Sequence, residues 1–279
     1  MVKLLLAGAE GHLKELKQVG VENILLSYNS MKEKKTMKEF RDSFKFIFLD
    51  SGAYTFLRQR AVIREGKAVK KKKKIDLKEI EQYFFDYLKW AKQNRNYFDA
   101  CAELDLYRYA GGEKVTEWRQ KMVEENLPVV PVYHFESSPF KLFTQFCEDF
   151  NYVGVGGQYR KIINLILLKV KKTNRKLHIF GFTDIELLRK FGGRMPFSVD
   201  STTWLAGGQF GETFYFDGFR MMTCSKTARI RFVRQIEEIG LDRNKWLSDD
   251  GKTVNSWNAR QFYLYEKYLN KRFHLGKEE

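Results

Sequence analysis

Short apolar runs alternate along this chain with longer segments that are apolar on one side only. Each run is closed by a turn or a polar signal, which is typical of a buried strand in a parallel sheet. Eight runs fit this description: Lys3–Ala9, Asn23–Tyr28, Phe46–Asp50, Phe98–Asp105, Pro128–Tyr133, Tyr152–Val155, Lys176–Phe180 and Phe197–Val199.

The segments between these runs have the spacing of amphipathic helices. They are Leu13–Val19, Met37–Phe44, Asp76–Asn94 with Asp76 as its N-cap, Gly111–Glu125, Pro139–Phe150, Ile162–Lys172 and Ile185–Phe191. Alternating strands and helices predict parallel βα units, and eight such units predict a closed (β/α)8 TIM-type barrel. An open doubly wound sheet is the alternative, but no Gly-x-Gly-x-x-Gly follows the first strand.

The pattern divides the chain into two expected parts. Residues 1–204 form the barrel, and residues 205–279 form a basic, mainly helical C-terminal extension packed on it. The extension has an aromatic, glycine-rich piece (Gly207–Phe219) and helical periodicity over Thr227–Ile239 and Ala259–Leu269. We expect no zinc subdomain, since Cys101, Cys147 and Cys224 have neither zinc-ligand nor disulfide spacing.

Chemistry-bearing side chains lie at the predicted strand ends, and the strand ends of a barrel face one mouth. Asp50 ends the third run in Asp50-Ser51-Gly52, and Asp200 ends the eighth. Two facing carboxylates can act as nucleophile and acid/base in glycosyl transfer with retention. The other candidates at strand ends are Asp105, His134, Gly156, Gly157, Gln158, and the aromatic residues Tyr54 and Phe180.

Each candidate also has an ordinary structural interpretation. Asp-Ser-Gly is common in turns and helix caps. Asp105 could pair with Arg108, His134 could be a hydrogen-bonded structural residue, and Tyr54 and Phe180 could belong to the core. The joint placement of these residues at successive strand ends is what favours a functional site.

The chain is strongly basic, with a formal net charge of +15 and an isoelectric point near 9.5. This excess indicates a polyanionic partner, most often nucleic acid. The predicted phosphate contacts are the lysine run after the Asp50 strand and a basic helix: Lys70, Lys71, Lys72, Lys73, Lys74, Arg229, Arg231 and Arg234. A solvated lysine face is the alternative. The scattered cysteines fit a reducing cytoplasmic setting, and no run is long enough to span a bilayer.

Taken in order, the strand-end motifs resemble the tRNA-guanine transglycosylase superfamily, including its bacteriophage branch that exchanges guanine for a 7-deazaguanine in DNA. The resemblance runs from about residue 3 to 204. It is carried by Asp50-Ser51-Gly52-Ala53-Tyr54, Glu103-Leu104-Asp105, Val153-Gly154-Val155-Gly156-Gly157, Ile179-Phe180-Gly181-Phe182-Thr183 and Val199-Asp200-Ser201.

The resemblance implies a role for each matching residue. Asp200 matches the nucleophile that attacks C1′ and expels guanine, and Asp50 matches the general acid/base. Asp105 matches the acid that reads the N1 and N2 edge of the base. The remaining matches bind the base: Gly156 and Gly157 through their backbone, Tyr54 and Phe180 as flanking aromatic faces, and Gln158, His134 and Gly181 by position.

This sequence departs from the tRNA enzymes in ways that favour DNA as the substrate. Their Cys-x-Cys-x-x-Cys and His zinc site has no counterpart, and Thr202-Thr203-Trp204 stands where they have Pro-Thr-Arg. The expected reaction uses a free base such as 7-cyano-7-deazaguanine and no cofactor. A tRNA transglycosylase, a non-catalytic nucleic-acid-binding partner subunit and an unrelated glycoside hydrolase barrel remain alternatives. A homodimer is left open, and the expected location is the cytoplasm (of the host, for a phage protein).

Overall fold

The computed structural model describes residues 1–33, 37–58, 63–64, 67–68, 76–157, 159–182 and 184–274. The strands of its main sheet are β1 Lys3–Ala7, β2 Asn23–Ser27, β3 Phe46–Asp50, β6 Ala100–Ala102, β7 Val129–Val130, β8 Val132–His134, β9 Tyr152–Gly156, β10 Lys176–Ile179 and β11 Ser198–Ser201. Two short antiparallel pairs complete the list of strands: β4 Ile63–Arg64 with β5 Lys67–Ala68, and β12 Thr213–Phe216 with β13 Met221–Cys224.

The main sheet is parallel throughout and follows the order β7-β6-β3-β2-β1-β11-β10-β9-β8. Its two terminal strands, β7 and β8, are separated in the sequence only by Pro131. The carbonyl of Val130 accepts from the N–H of Glu103 beyond β6, and the carbonyl of Pro131 accepts from Gly154 in β9. The fold is therefore an α/β fold whose sheet curls into a nearly closed barrel.

Helices follow the strands and cover the outside of the sheet. They are α1 Leu13–Gln18, α2 Tyr28–Met31, α3 Met37–Ser43, α4 Ala53–Arg58, α5 Leu77–Gln93, α6 Tyr107–Ala110, α7 Gly112–Glu124, α8 Phe140–Asp149, α9 Ile163–Thr173, α10 Leu188–Phe191, α11 Ala206–Phe210, α12 Val233–Glu238, α13 Arg243–Leu247 and α14 Gly251–His274. Asp76 caps α5 as predicted, since its side chain accepts from the N–H of Lys78 at 3.0 Å.

Strand alternation divides the core into two layers. In β3, Ile47 and Leu49 face the helices and belong to the large outer core, whereas Phe48 faces the interior of the barrel. Alternate positions of the neighbouring strands fill this interior: Leu5, Ala7, Leu25, Ala100, Ala102, Val130 and Val132. Asp50 is two residues beyond Phe48, so the same alternation directs its side chain to the open end of the barrel.

The C-terminal region, expected to be mainly helical, also contains a β-hairpin that the sequence did not predict. The aromatic, glycine-rich piece contains α11 and the β12–β13 hairpin, and the predicted helix over Ala259–Leu269 extends over all of α14. Helix α14 packs on the barrel, because buried Glu266 accepts from the N–H of Leu4 in β1 at 2.7 Å and from Asn23 in β2 at 2.8 Å. No helix in the described part of the chain is long and apolar enough to cross a membrane.

Candidate active site

A cavity of about 730 Å³ opens at the carboxyl ends of the parallel strands. This is the edge at which parallel α/β proteins assemble their sites, because loops from several strands meet there. Eight residues singled out from the sequence line this cavity: Asp50, Tyr54, Asp105, His134, Gly156, Gly157, Phe180 and Gly181. Strand ends that are far apart in sequence therefore meet, as the pattern predicted.

The turn after β3 fixes the orientation of Asp50. Gly52 has φ of +73°, and its N–H donates to Oδ2 of Asp50 at 2.9 Å. A Cβ at Gly52 would lie 2.8 Å from Cβ of Asn29, so both the backbone conformation and the close approach require glycine. The carbonyl of Ser51 accepts from the Tyr83 hydroxyl at 2.7 Å and anchors the same turn to α5.

Asp50 is a carboxyl group that is easily protonated near neutral pH. Burial raises its pKa to about 7, and the nearby carboxylates of Asp105, Asp200 and Glu10 act in the same direction. The hydrogen bond from Gly52 opposes these effects without cancelling them. A carboxyl with such a pKa can donate a proton at pH 7 and take one back later in a reaction cycle.

Asp105 pairs with His134 across the cavity. Nε2 of His134 lies 2.7 Å from Oδ2 of Asp105. Burial lowers the pKa of His134, but the hydrogen bond and charge of Asp105 outweigh it and raise this pKa overall. The alternative pairing of Asp105 with Arg108 is wrong, since Arg108 lies instead 3.8 Å from Glu136. His134 thus supports an acceptor carboxylate in the cavity.

Asp200 reaches the same region from β11. Its Oδ1 accepts from the N–H of Gly181 at 3.0 Å, and its own carbonyl accepts from Phe182 at 2.8 Å. The carboxylate is largely enclosed, with 11% of the side chain exposed. Nε2 of His178 lies 3.2 Å from the same Oδ1. Asp200 is therefore fixed beside Gly181, a residue of the cavity wall.

Aromatic and glycine residues complete the walls. Tyr54 lies in α4 and is 74% exposed, so it lines the cavity without belonging to the core. Phe180 is half-buried and packs its edge against His178. A Cβ on Gly156 would lie 2.8 Å from Cε1 of His134, and Gly157 has φ of +67°. These glycines leave backbone and space beside the Asp105–His134 pair.

Glu103 follows β6 and comes directly after the cavity residue Ala102. It is fully buried and accepts from Arg119 at 2.8 Å, from the Tyr107 hydroxyl at 2.9 Å and from the N–H of Val132 at 2.7 Å. Burial raises the pKa of Glu103 to about 7, against the opposing charge of Arg119. Its partners tie β6 to α7 and β8, so it holds the loop that carries Asp105.

Several residues of this region were not singled out from the sequence. They are His178, Ser198, Tyr152 and Glu136. His178 lies two residues before Phe180 in the predicted strand Lys176–Phe180. Strand alternation would have given the signal, because a residue two positions before a strand-end site residue faces the same side of the sheet.

The structure places the predicted phosphate contacts in different environments. Lys70, Lys71, Lys72, Lys73, Lys74 and the base-binding candidate Gln158 lie outside the described residues. Arg229 is a correction: it is 2% exposed, and its guanidinium donates to Thr213, Asp249 and the carbonyl of Gly211. A guanidinium occupied in this way is a structural group and not a free phosphate ligand. Arg231 and Arg234 are exposed, with Arg234 also paired to Glu238 at 3.0 Å.

Comparison with known proteins adds no relative, since neither a family model nor a curated protein matches the chain. Among the described residues, no group of three or more His, Cys, Asp and Glu side chains is arranged to hold a metal ion.

Proposed function

We propose that this protein is a base-exchange glycosyltransferase that replaces guanine in DNA with a 7-deazaguanine through a covalent aspartyl-glycosyl intermediate. The observation that carries the proposal is the convergence of three carboxyl groups, Asp50, Asp105 and Asp200, at one end of the barrel-like sheet, with unlike surroundings. Carboxyl groups in different environments divide acid and nucleophile roles between them.

The proposed scaffold is a (β/α)8 barrel. Counting β7 and β8 as one strand interrupted at Pro131 gives eight strands in a closed order. The interruption has a simple cause, because proline has no N–H to donate to a ladder. This scaffold agrees with a site built from the carboxyl ends of several strands.

In the proposed first step, Asp200 attacks C1′ of the target nucleotide. The new O–C1′ bond forms as the bond from C1′ to the base nitrogen breaks, and the base departs with the electron pair and a proton from Asp50. The incoming 7-deazaguanine then gives a proton to Asp50 and attacks C1′, so two inversions retain the configuration. A pKa of about 7 at Asp50 suits both proton transfers.

Guanine recognition is proposed to rest on Asp105. The N1 and N2 groups of guanine are donors, and an ionised carboxylate accepts from both. His134 lies 2.7 Å from Oδ2 of Asp105 and fixes the orientation of this carboxyl group. Tyr54 and Phe180 supply aromatic faces for the flat base, and a cavity of about 730 Å³ is large enough for a nucleoside.

The net charge of +15 supports a nucleic acid as the larger substrate. A guanosine in a duplex must leave the base stack before it can enter such a cavity. The exposed residues Arg231 and Arg234 remain candidates for phosphate contacts beside the cavity-bearing barrel.

The test is base exchange by the purified protein. Labelled guanine or 7-cyano-7-deazaguanine is incubated separately with duplex DNA, single-stranded DNA and bulk tRNA, and label in the polymer is measured. Label in DNA alone is the expected result. Label in tRNA alone would keep the chemistry and overturn the substrate, and no uptake by folded protein that binds nucleic acid would favour a partner subunit.

A further inference from the structure

A buried histidine lies directly beside the carboxylate proposed as the nucleophile. His178 in β10 has no exposed surface and stacks on Phe48 with ring centroids 4.4 Å apart. Its Nε2 is 3.2 Å from Oδ1 of Asp200, but the present orientation of the two groups makes no hydrogen bond between them, and no other described residue bonds to this nitrogen. A buried polar atom without a partner is costly. Among the described residues, Asp200 is the acceptor close enough to pair with it after a small reorientation of either side chain.

The other ring nitrogen begins a chain of hydroxyl groups. Nδ1 of His178 is 2.6 Å from Oγ of Ser198, which in turn makes a very short contact with the hydroxyl of Tyr152. Burial raises the pKa of Tyr152 well above its ordinary value, so its hydroxyl keeps its proton and can donate. Ser198 then accepts from Tyr152 and donates to Nδ1, which leaves the imidazole proton on Nε2.

The opposite tautomer, with the proton on Nδ1, does not fit the same geometry. A proton on Nδ1 would leave the lone pair of Nε2 facing Oδ1 of an ionised Asp200, at 3.2 Å. Two lone pairs at that distance repel each other in a buried site. For an imidazole that carries one proton, the direction Tyr152 to Ser198 to His178 to Asp200 joins a donor to an acceptor at every contact.

We propose that His178 is a positioning residue for Asp200: its neutral imidazole donates through Nε2–H to Oδ1 and fixes the orientation of the carboxyl group. Gly181 donates to the same oxygen, and the described residues make no hydrogen bond to Oδ2. Oδ2 is therefore the attacking atom. It forms the bond to C1′ while the bond from C1′ to the base nitrogen breaks, its electron pair leaving on the base that Asp50 protonates. The role of Oδ2 as the attacking atom rests on the proposed function. The contact between His178 and Asp200 does not.

Three titratable groups in the described part of the chain interact electrostatically with Asp200. Asp50 approaches from β3, Tyr152 from β9, and Tyr159 from the turn after β9. Burial raises the pKa of both tyrosines, so neither changes charge in the neutral range. Asp50, with a pKa of about 7, does titrate there. Variants of His178 must therefore be compared with wild-type protein over the same pH range.

The kinetic test compares His178→Phe with His178→Gln. Phenylalanine keeps the ring against Phe48 but has no donor, and the amide of glutamine can donate near the position of Nε2. We expect His178→Phe to lower kcat about 100-fold, as removal of one preorganised donor does, with KM changed less than about threefold. His178→Gln should recover most of kcat. Wild-type kcat in folded His178→Phe, or an equal loss of kcat in His178→Gln, would overturn the proposal.

A second measurement needs no exchange activity. The chain has four histidines, and ¹⁵N-histidine NMR of the wild-type protein reports the tautomer of each, with the His178 signal assigned by its loss in either variant. We expect a neutral Nε2–H tautomer from pH 6 to 8, and a mixture of tautomers in Ser198→Ala. An Nδ1–H tautomer or an imidazolium would overturn the proposal. Failure of base exchange with every nucleic acid would instead overturn the proposed function and leave the tautomer result standing.

Discussion

Replacing Asp50 by asparagine should stabilise the protein and inactivate it at the same time. In the wild-type protein, folding raises the pKa of Asp50 from 3.8 to about 7. The folded state therefore binds more protons than the unfolded state between these values, and the free energy of unfolding falls as pH rises through this window. Asparagine cannot ionise, so residue 50 no longer lowers the free energy of unfolding of the variant as pH rises. It can still accept the hydrogen bond from Gly52.

The size of the effect follows from the shift. A pKa change from 3.8 to about 7 corresponds to roughly 4 kcal/mol in the free energy of unfolding, before any correction for solvent screening. Because Asp50 is half-buried and borders an open cavity, we discount this figure for solvent screening to about 1–2 kcal/mol. Glu103 and Glu266 also have pKa values raised to about 7 by burial, but both are present in each protein and cancel in the comparison.

The assay is urea unfolding of Asp50→Asn and wild-type protein at pH 5.5, 6.5, 7.5 and 8.5. The stability of the variant relative to wild type should grow by about 0.5–1 kcal/mol from the lowest to the highest pH, because pH 5.5 already lies midway between 3.8 and about 7. Base exchange should fall by about 10²- to 10⁴-fold, the usual contribution of a general acid/base. Glu124→Gln, on the exposed face of α7, is the matched carboxylate-to-amide control. A difference independent of pH would refute the electrostatic description of Asp50.

Three further predictions concern the walls and charge of the site. Arg119→Met leaves the buried Glu103 carboxylate unpaired and should lower the free energy of unfolding by about 3–5 kcal/mol in denaturant titrations; the double variant with Glu103→Gln should recover much of it, and an additive result would contradict this. Gly157→Ala places a Cβ 2.1 Å from Oε1 of Glu136 at φ of +67°, so KM for the free base should rise by up to about 100-fold; an unchanged KM would mean that the base does not approach this turn. Raising KCl from 50 to 200 mM should weaken nucleic-acid binding by at least roughly tenfold in fluorescence anisotropy, whereas salt-independent binding would rule out phosphate contacts as its main source.

The succession of strands along the chain was predictable because each buried run is apolar and is closed by a turn or polar signal. The division of the fifth strand at Pro131 was missed, although proline in a run is a known interruption. The β12–β13 hairpin was also missed, and α14 was predicted too short. Polar residues hide the pattern there: buried Asn258 donates to the carbonyls of Trp204 and Glu212, and Gln261 accepts from Phe216 in the hairpin. Partners so distant in sequence leave no local periodicity.

The site residues at strand ends were predictable from the sequence, whereas the buried residues behind them were not. Asp50 and Asp105 meet in one cavity because parallel strands end at one edge. His178 lies two residues before Phe180 in the same strand, and its neighbours in the sequence do not indicate that it contacts Asp200. Arg229 shows the opposite error, since a basic residue in an amphipathic segment was expected at the surface and is instead buried against Trp246.

The central claim is that Asp200 forms a covalent bond to the sugar, and trapping that bond tests it most directly. End-labelled DNA and tRNA are incubated separately with wild-type protein without added free base, quenched in denaturant, and separated on a denaturing gel. We expect label to migrate with the wild-type protein, to be released by free guanine added before the quench, and to be absent from Asp200→Asn. Equal adduct with the Asp200→Asn variant, or no adduct with either nucleic acid from wild-type protein that exchanges bases, would contradict the account.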